Sequence, residues 1–141
     1  MRVLIIGSGG REHALAWKLK QEEPSVELLA APGNPGLATL AECVPISATD
    51  LPSLIALARE RAVDLTIVGP EGPLALGIVD QFRVAGLPIF GPTQAAAEIE
   101  TSKAFAKQLM TTMASPPPRQ RCTCTWGPRR SAPGCSARPW W

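Results

Sequence analysis

The sequence predicts an α/β protein built on a doubly wound parallel sheet of about five strands, followed by a C-terminal tail of different character. Three observations predict this architecture. Short apolar runs alternate with segments of helical periodicity up to about residue 112. The apolar runs are unbroken, which is typical of parallel strands buried on both faces. Turns rich in glycine, proline and small residues follow four of these runs.

The first half of the chain predicts three strands and one helix. Val3 begins an unbroken apolar run, and Leu15 and Leu19 lie four residues apart on one face of the helix that follows. A second apolar run ends in a stretch of alanine, proline and glycine, which predicts a turn. A third, shorter run comes next. In chain order these elements are strand 3–6, helix 12–21, strand 26–30, turn 31–36 and strand 43–46.

The second half repeats this alternation. Asp50 and Thr93 are residue types that cap helix N-termini, and Leu74, Ile78 and Phe82 recur every four residues, as on one face of a helix. Strands separated by helices imply parallel crossovers, hence a Rossmann-like doubly wound sheet. In chain order these elements are helix 50–61, strand 65–68, turn 69–73, helix 74–85, strand 88–90, helix 93–100 and helix 102–110.

The charge of the chain is divided unevenly. The 141 residues carry a formal net charge of +2. Residues 1–118 hold nine Lys and Arg and all twelve Asp and Glu, and so carry −3, whereas residues 119–141 hold five arginines and no acid. The positive balance therefore comes from the tail, and it gives no evidence of a nucleic-acid-binding face on the body of the protein.

No apolar run reaches the roughly 18 residues that a membrane helix needs. The apolar run after Arg2 leads into a glycine-rich helix start rather than a cleavage site, so it is not predicted to be a signal peptide. We therefore expect a cytoplasmic protein without a membrane partner.

The cysteines and the single histidine do not predict a metal site or a catalytic group. Cys43 stands alone in the body, and the tail cysteines Cys122, Cys124 and Cys135 have no histidine near them, which is not the spacing of a zinc site. His13 lies one residue inside the first helix, where a lone histidine is more often a surface or packing residue. No catalytic residue and no metal ligand is predicted in this chain.

A ligand site is predicted at the carboxyl edge of the sheet, where doubly wound folds bind their ligands. The first loop there is Gly7-Ser8-Gly9-Gly10-Arg11. Its glycines allow a tight turn, the helix N-terminus offers free N–H groups to an anion, and Arg11 adds a cationic fork. A phosphate is the expected ligand, and a simple packing turn is the alternative.

The same loop argues against NAD or FAD. The dinucleotide fingerprint G-x-G-x-x-G needs a glycine at position 12, where this chain has Glu12. It also needs an acidic residue at the end of the second strand, where Ala30 and Ala31 stand instead. A carboxylate at the end of the fourth strand, Glu71, is placed to accept hydrogen bonds from sugar hydroxyls, and a solvated loop acid is the alternative.

These loops carry a resemblance to a known family. The opening V-L-I-I-G-S-G-G-R-E-H-A-L-A-W resembles that of the phosphoribosylamine–glycine ligases, and four further stretches match in order. Family members usually have alanine where this chain has Gly72. The resemblance covers residues 1 to about 112, and the matching stretches are residues 3–17, 31–34, 64–71, 89–93 and 102–107.

The resemblance implies a pre-ATP-grasp domain of a purine-biosynthesis ligase. The intact family enzyme joins glycine to 5-phosphoribosylamine with ATP and Mg²⁺ (or Mn²⁺), and its N-terminal domain binds the phosphoribosylamine. It implies that Lys103 approaches the ATP phosphates in an intact enzyme, and that this chain alone holds no cofactor. The substrate-binding residues that it implies are Gly7, Ser8, Gly9, Gly10 and Arg11 for the phosphate, Pro32, Gly33 and Asn34 along the pocket, and Pro70 and Glu71 at the ribose.

The resemblance also predicts the domain organisation. Residues 1–101 are expected to form the phosphoribosylamine-binding domain, and residues 102–112 to begin a linker helix towards the ATP-grasp region. Because no ATP-grasp lobe follows Lys107 here, we expect the chain by itself to be an inactive, monomeric fragment. A stand-alone module that binds a nucleotide or a sugar phosphate is the alternative.

Residues 113–141 change abruptly to arginine, proline, cysteine, tryptophan and serine. Disordered linkers are poor in tryptophan and cysteine, and folded segments show apolar periodicity, so neither class fits. A slipped reading frame in a GC-rich gene does fit: codons permitted for residues 113–118 read H-G-I-P-T-A one nucleotide earlier, which resembles the family's next segment. We expect this tail to be unstructured and without a metal or partner; binding of nucleic acid by its arginines and tryptophans is a weaker alternative.

Overall fold

The computed structural model of the protein describes residues 1–113. Within this range five strands alternate with helices. The strands are β1 (Arg2–Gly7), β2 (Glu27–Pro32), β3 (Glu42–Cys43), β4 (Leu65–Val68) and β5 (Ile89–Phe90). The helices are α1 (Gly10–Glu22), α2 (Leu51–Glu60), α3 (Glu71–Ala75), α4 (Ile78–Val84), α5 (Gln94–Thr101) and α6 (Lys103–Thr112), and a 3-10 turn spans Leu37–Thr39.

All neighbouring strands of the sheet pair in parallel, in the order β3-β2-β1-β4-β5. The chain moves outward from β1 in one direction, returns, and moves outward in the other, so the sheet is doubly wound as predicted. The carboxyl ends of β2 and β4 flank the carboxyl end of β1, because Ile6 pairs with Ala31 on one side and Val68 on the other. The order therefore reverses at β1, where such folds place their ligand site.

The core lies on both faces of β1, whose residues alternate between two apolar clusters. Leu4 and Ile6 pack in the cluster that contains Leu54 of α2 and Phe82 of α4. Val3 and Ile5 pack in the opposite cluster, with Ala16 of α1 and Leu37. The two-sided burial explains why this strand reads as an unbroken apolar run in the sequence.

Short polar side chains begin three of the helices, and two of them, Asp50 and Thr93, are the caps that the sequence predicts. Asp50 accepts a hydrogen bond from the Ser53 N–H at 3.3 Å at the start of α2. Thr93 Oγ1 accepts from the Ala96 N–H at 3.4 Å at the start of α5, and Ser102 Oγ accepts from Phe105 in the same way for α6. Each side chain satisfies one N–H group that the first helical turn leaves without a partner.

The single helix predicted over residues 74–85 is wrong. Two helices, α3 and α4, occupy this stretch because Gly77 adopts the left-handed conformation (φ +78°) between them. Leu74, Ile78 and Phe82 are nevertheless all buried, since both short helices turn the same face to the core. The turn predicted over residues 69–73 is also shorter than expected, because α3 begins at Glu71.

The third strand is shorter than predicted, and helix α6 is loosely packed. Strand pairing ends at Cys43: the Val44 N–H still donates to the Ala30 carbonyl of β2, but the Ile46 N–H donates to the carbonyl of Val44. None of the residues of α6 is buried against the described part of the chain. Within residues 1–113 no helix is long and apolar enough to cross a membrane. The predicted unstructured, out-of-frame tail (residues 113–141) lies outside the described residues from 114 onward.

Candidate functional site

Two loops at the carboxyl edge are tied together by hydrogen bonds. The Gly33 N–H donates to the Gly7 carbonyl at 3.2 Å, and Asn34 Nδ2 donates to the Ser8 carbonyl at 2.8 Å. Asn34 Oδ1 in turn accepts from the Leu37 N–H at 2.8 Å, which fixes the orientation of its amide. Asn34 therefore links the loop after β1 to the loop after β2, and the predicted phosphate loop and pocket wall lie side by side.

The loop after β4 joins this edge from the other side. The Gly69 N–H donates to the Ile6 carbonyl at 3.1 Å, and Arg11 Nη2 lies 3.9 Å from Glu71 Oε2. About three quarters of the Arg11 side chain and three fifths of the Glu71 side chain are exposed, so this ion pair is weak and both groups are accessible to a ligand. The predicted cation and the predicted carboxylate thus lie close together at the start of α1.

The N-terminus of α1, the helix that carries Arg11, presents N–H groups at the same edge of the sheet. Gly9 is the N-cap residue, and the first hydrogen bond of the helix runs from the His13 N–H to the Gly9 carbonyl at 3.2 Å. The N–H groups of Gly10, Arg11 and Glu12 precede that bond and have no acceptor within the helix. Together with the positive end of the helix dipole they suit an anion such as a phosphate.

A buried carboxylate, Glu12, is the residue of this edge that sequence reasoning missed. Its side chain is only 4% exposed, and its Oε2 accepts a hydrogen bond from the Gly9 N–H at 2.6 Å. This is one half of a capping box; glycine has no side chain to complete the other half. The signal was present in the sequence, since Glu12 is the third helical residue, but an acid in a first turn is usually exposed.

The glycines of these loops make room for Glu12 as well as for a ligand. A Cβ atom on Gly7 would lie 2.8 Å from Glu12 Cγ, and one on Gly9 would lie 2.7 Å from Glu12 Oε2. A Cβ on Gly69 would overlap Glu12 Oε1. In the loop after β1, Gly10 by contrast has free space around the position of a Cβ. The glycine pattern, predicted to serve a phosphate, is therefore required by the packing of a neighbouring side chain too.

Smaller contacts complete the pocket wall. The Ala31–Pro32 peptide is cis, and Gly33 adopts a left-handed conformation (φ +74°) with the Cys43 sulfur directly behind it. A Cβ on Gly36 would come within 3.3 Å of the His13 ring, so the histidine lies against the loop after β2. His13 is exposed there, as its position in the sequence predicts.

Two predicted features are not joined to this edge by polar contacts of the described residues. Lys103 is exposed at the first turn of α6, without an ion pair in residues 1–113. The loop after β5 is engaged elsewhere: Thr93 caps α5, and a Cβ on Gly91 would lie 3.1 Å from both Leu74 and Val79. The roles predicted for the loops after β1, β2 and β4 do not depend on Lys103 or on the loop after β5.

Two clefts of the described residues lie away from the predicted site. One, of about 520 Å³, opens at the amino edge of the sheet beside Arg2, Lys20 and Glu42. The other, of about 490 Å³, is a groove between α2 and α4 beside Ile55 and Val84.

Known proteins resemble this chain over most of its length. Residues 1–100 match the family described as phosphoribosylglycinamide synthetase, N domain. The chain is 58% identical over 112 residues to a phosphoribosylamine–glycine ligase of Vibrio cholerae, a match that covers 78% of the chain and 26% of the relative. A protein of the same name from Vibrio parahaemolyticus is 61% identical over 113 residues, with the same coverage. The chain spans about a quarter of the length of these relatives.

Solved structures share the fold. The crystal structure of phosphoribosylamine–glycine ligase from Thermotoga maritima has a TM-score of 0.56 and 27% identity, covering 81% of this chain and 25% of that one. A biotin carboxylase domain of a single-chain bacterial carboxylase has a TM-score of 0.62 at 17% identity, covering 80% of this chain and 29% of that one. The second likeness concerns the fold alone.

Proposed function

We propose a function from one premise: the chain belongs to the phosphoribosylglycinamide synthetase family, whose N domain its residues 1–100 match. The proposed function is that of the substrate domain of a phosphoribosylamine–glycine ligase. It binds 5-phosphoribosylamine through the loops at the carboxyl edge of the sheet. The identity of the relatives over about 112 residues supports this proposal.

The complete reaction is proposed for the full-length protein, because these residues span about a quarter of the relatives they match. There, ATP and Mg²⁺ (or Mn²⁺) would activate glycine, which then joins the amine to give glycinamide ribonucleotide, ADP and phosphate. Lys103 would approach the ATP phosphates in that intact enzyme. A polypeptide of these 141 residues alone is expected to bind substrate without releasing phosphate, as a cytoplasmic monomer without nucleic-acid or membrane partners.

One observation carries the proposal: the Arg11 guanidinium lies 3.9 Å from the Glu71 carboxylate at the start of α1, whose first N–H groups have no acceptor within the helix. A 5-phosphate suits the N–H groups and the Arg11 guanidinium, which donate hydrogen bonds to its oxygens. The ribose hydroxyls, which are donors, suit the Glu71 carboxylate. A sugar monophosphate needs both kinds of partner a few ångströms apart, and this edge offers them.

The neighbouring loops would complete the binding surface. Asn34 holds the Ser8 carbonyl, so the residues that would line the pocket, Pro32 to Asn34, are fixed relative to the phosphate loop. Pro70 is the N-cap residue of α3 and directly precedes Glu71, the first residue of that helix. The Asn34 side chain is positioned by its two backbone contacts before any ligand arrives, which lowers the ordering cost of binding.

Calorimetry with ribose 5-phosphate, a stable analogue of the substrate, tests the proposal on the 141-residue chain. Arg11→Gln is expected to weaken binding by at least about tenfold, because a charge-assisted contact to phosphate is lost. Arg83→Gln is the matched control, since Arg83 is an exposed arginine in the last turn of α4. Binding that is absent in the original chain, or that Arg11→Gln and Arg83→Gln change equally, contradicts the proposal.

The nucleotide sequence of the gene separates the proposed function from a stand-alone binding module. If the other reading frame continues from about codon 113 into ATP-grasp motifs, the chain is the first domain of a ligase. An early stop codon in that frame, with no such motifs, favours an independent module. This test does not depend on the affinity of the domain for any ligand.

A further inference from the structure

The Glu12 carboxylate occupies a position where a dinucleotide-binding loop needs empty space. It is one of two polar or charged residues that are buried among residues 1–113; the other is Thr66. It stands at the third-glycine position of the dinucleotide fingerprint, where glycine permits close packing of helix and strand. In this chain the Glu12 side chain points back towards the loop after β1 instead of outward from the helix.

The Glu12 carboxylate accepts a hydrogen bond from a backbone N–H of the loop after β1. Its Oε2 accepts the Gly9 N–H at 2.6 Å. In the fingerprint, the equivalent glycine is the one at which the backbone approaches the pyrophosphate. A ligand reaching Gly9 would therefore find its N–H already bonded and a carboxylate behind it. The free N–H groups that remain are those of the first helical residues, Gly10 to Glu12.

The same carboxylate also extends across to the loop after β4. Its other oxygen lies so close to Gly69 that a Cβ there would overlap it, and Pro70 lies 3.0 Å from the position of a Cβ on Gly7. The Glu12 side chain thus occupies part of the space between the loops after β1 and β4. A ligand that placed a second phosphate there would need to displace a buried acid and would meet its negative charge.

We propose that Glu12 is a specificity-determining residue that restricts this site to a phosphate monoester and excludes a pyrophosphate. The inference rests on the proposed function, because it assumes that a sugar phosphate binds at the start of α1. Glu12 acts by occupying the Gly9 donor and by placing a negative charge between the two loops. It is a positioning residue for the loop, and it need not touch the substrate.

The test compares ribose 5-phosphate with ADP-ribose, in which the same sugar phosphate is extended through a pyrophosphate. Calorimetry on the 141-residue chain gives the ratio of their dissociation constants. Glu12→Gln keeps an oxygen acceptor for Gly9 and removes the charge, so it is expected to lower the preference for the monoester by at least about fivefold. Glu22→Gln is the matched control, because it removes an exposed acid about 15 Å away on the same helix.

An NMR signature reports on the proposed contact separately. The Gly9 amide proton should resonate downfield in the original chain and shift upfield in Glu12→Ala, which lacks the acceptor. Equal affinity of the original chain for both ligands overturns the inference without any variant, as does an unchanged ratio in Glu12→Gln. If the original chain does not bind ribose 5-phosphate at all, the proposed function itself is refuted, so the two failures are distinguishable.

Discussion

The Arg2 guanidinium holds the Glu27 carboxylate where β1 and β2 begin side by side, with Nε 2.8 Å from Oε2. The two residues are register partners in the parallel pair. This hydrogen bond, together with the charge of Arg2, lowers the pKa of Glu27 below its ordinary value. The amino edge of the sheet is therefore joined by a cross-strand ion pair, opposite the edge where the ligand site is proposed.

A titration of the Glu27 carboxyl carbon by NMR tests this relationship. Because the pKa is lowered in the folded state, the ion pair stabilises the protein above the pKa of the unfolded chain. That contribution is lost as the pH falls through the folded pKa. Arg2→Met should move the midpoint upward towards the ordinary glutamate value, and Arg83→Met should not. A midpoint that is the same in Arg2→Met and the original chain contradicts the assignment.

A second prediction concerns the hydroxyl of Thr66, which is fully buried in β4 beside Leu4 and has no hydrogen-bond partner among the described residues. An unpaired buried hydroxyl is destabilising, and valine has nearly the same shape without it. Thr66→Val should therefore raise the free energy of unfolding by about 1 kcal/mol. Urea denaturation with an unchanged m-value measures this effect. Thr66→Ser keeps the hydroxyl and loses the methyl group, so it should destabilise; a destabilised Thr66→Val refutes the idea.

The doubly wound parallel class and most element positions follow from the sequence, because apolar runs, helical periodicity and capping residues are local signals. The apolar run at residues 3–6 is buried on both faces, and the capping residues Asp50 and Thr93 begin helices where expected. The break at Gly77 was not predicted, because the apolar period from Leu74 to Phe82 continues through it. A glycine inside a helical pattern is tolerated or breaks the helix depending on tertiary contacts that the sequence does not display.

The residues of the proposed site also differ in how far the sequence predicts them. Arg11 and Glu71 could be named from the sequence, since they follow strand ends at one edge of the predicted sheet, whereas Asn34 was implied by the family resemblance. The burial of Glu12 could not, because it depends on the approach of Gly69 from a strand about sixty residues away. Helical position alone would leave this acid at the surface.

A third prediction compares two glycines in the left-handed region. Gly77 (φ +78°) lies with the Gln94 side chain 3.1 Å from the position of its Cβ, whereas Gly86 (φ +72°) has free space there. Alanine at either position is destabilised by the left-handed backbone, by about 1–2 kcal/mol. Gly77→Ala should cost more than Gly86→Ala, because it also displaces Gln94 from its hydrogen bond to the Ala75 carbonyl. Thermal unfolding of both variants measures the difference, and equal losses would show that the Gln94 contact is unimportant.

Gly72 supplies the control for that comparison. It lies within α3, its φ is not left-handed, and a Cβ would meet nothing within 4 Å. Gly72→Ala should therefore stabilise the protein by about 0.5–1 kcal/mol, since it lowers the conformational entropy of the unfolded chain without straining the folded one. If Gly72→Ala instead destabilises the protein, the turn into α3 requires glycine for a reason other than its backbone conformation.

The last prediction tests whether Glu12 is what forbids side chains at Gly69. Gly69→Ala should destabilise the chain by about 1–3 kcal/mol, because its Cβ overlaps the buried carboxylate. Glu12→Ala should also destabilise it, by about 1–3 kcal/mol, since the Gly9 N–H loses its acceptor. The double variant should lose less than the two changes together, because Glu12→Ala opens the space that the new methyl group needs. Gly10→Ala, whose Cβ meets nothing, should combine additively with Glu12→Ala. Denaturant unfolding of all five variants closes the cycle. If the losses for Gly69→Ala and Glu12→Ala are additive, glycine is required at position 69 by its own backbone and not by Glu12. The carboxylate would then not restrict the loop after β4, against which the structure places it.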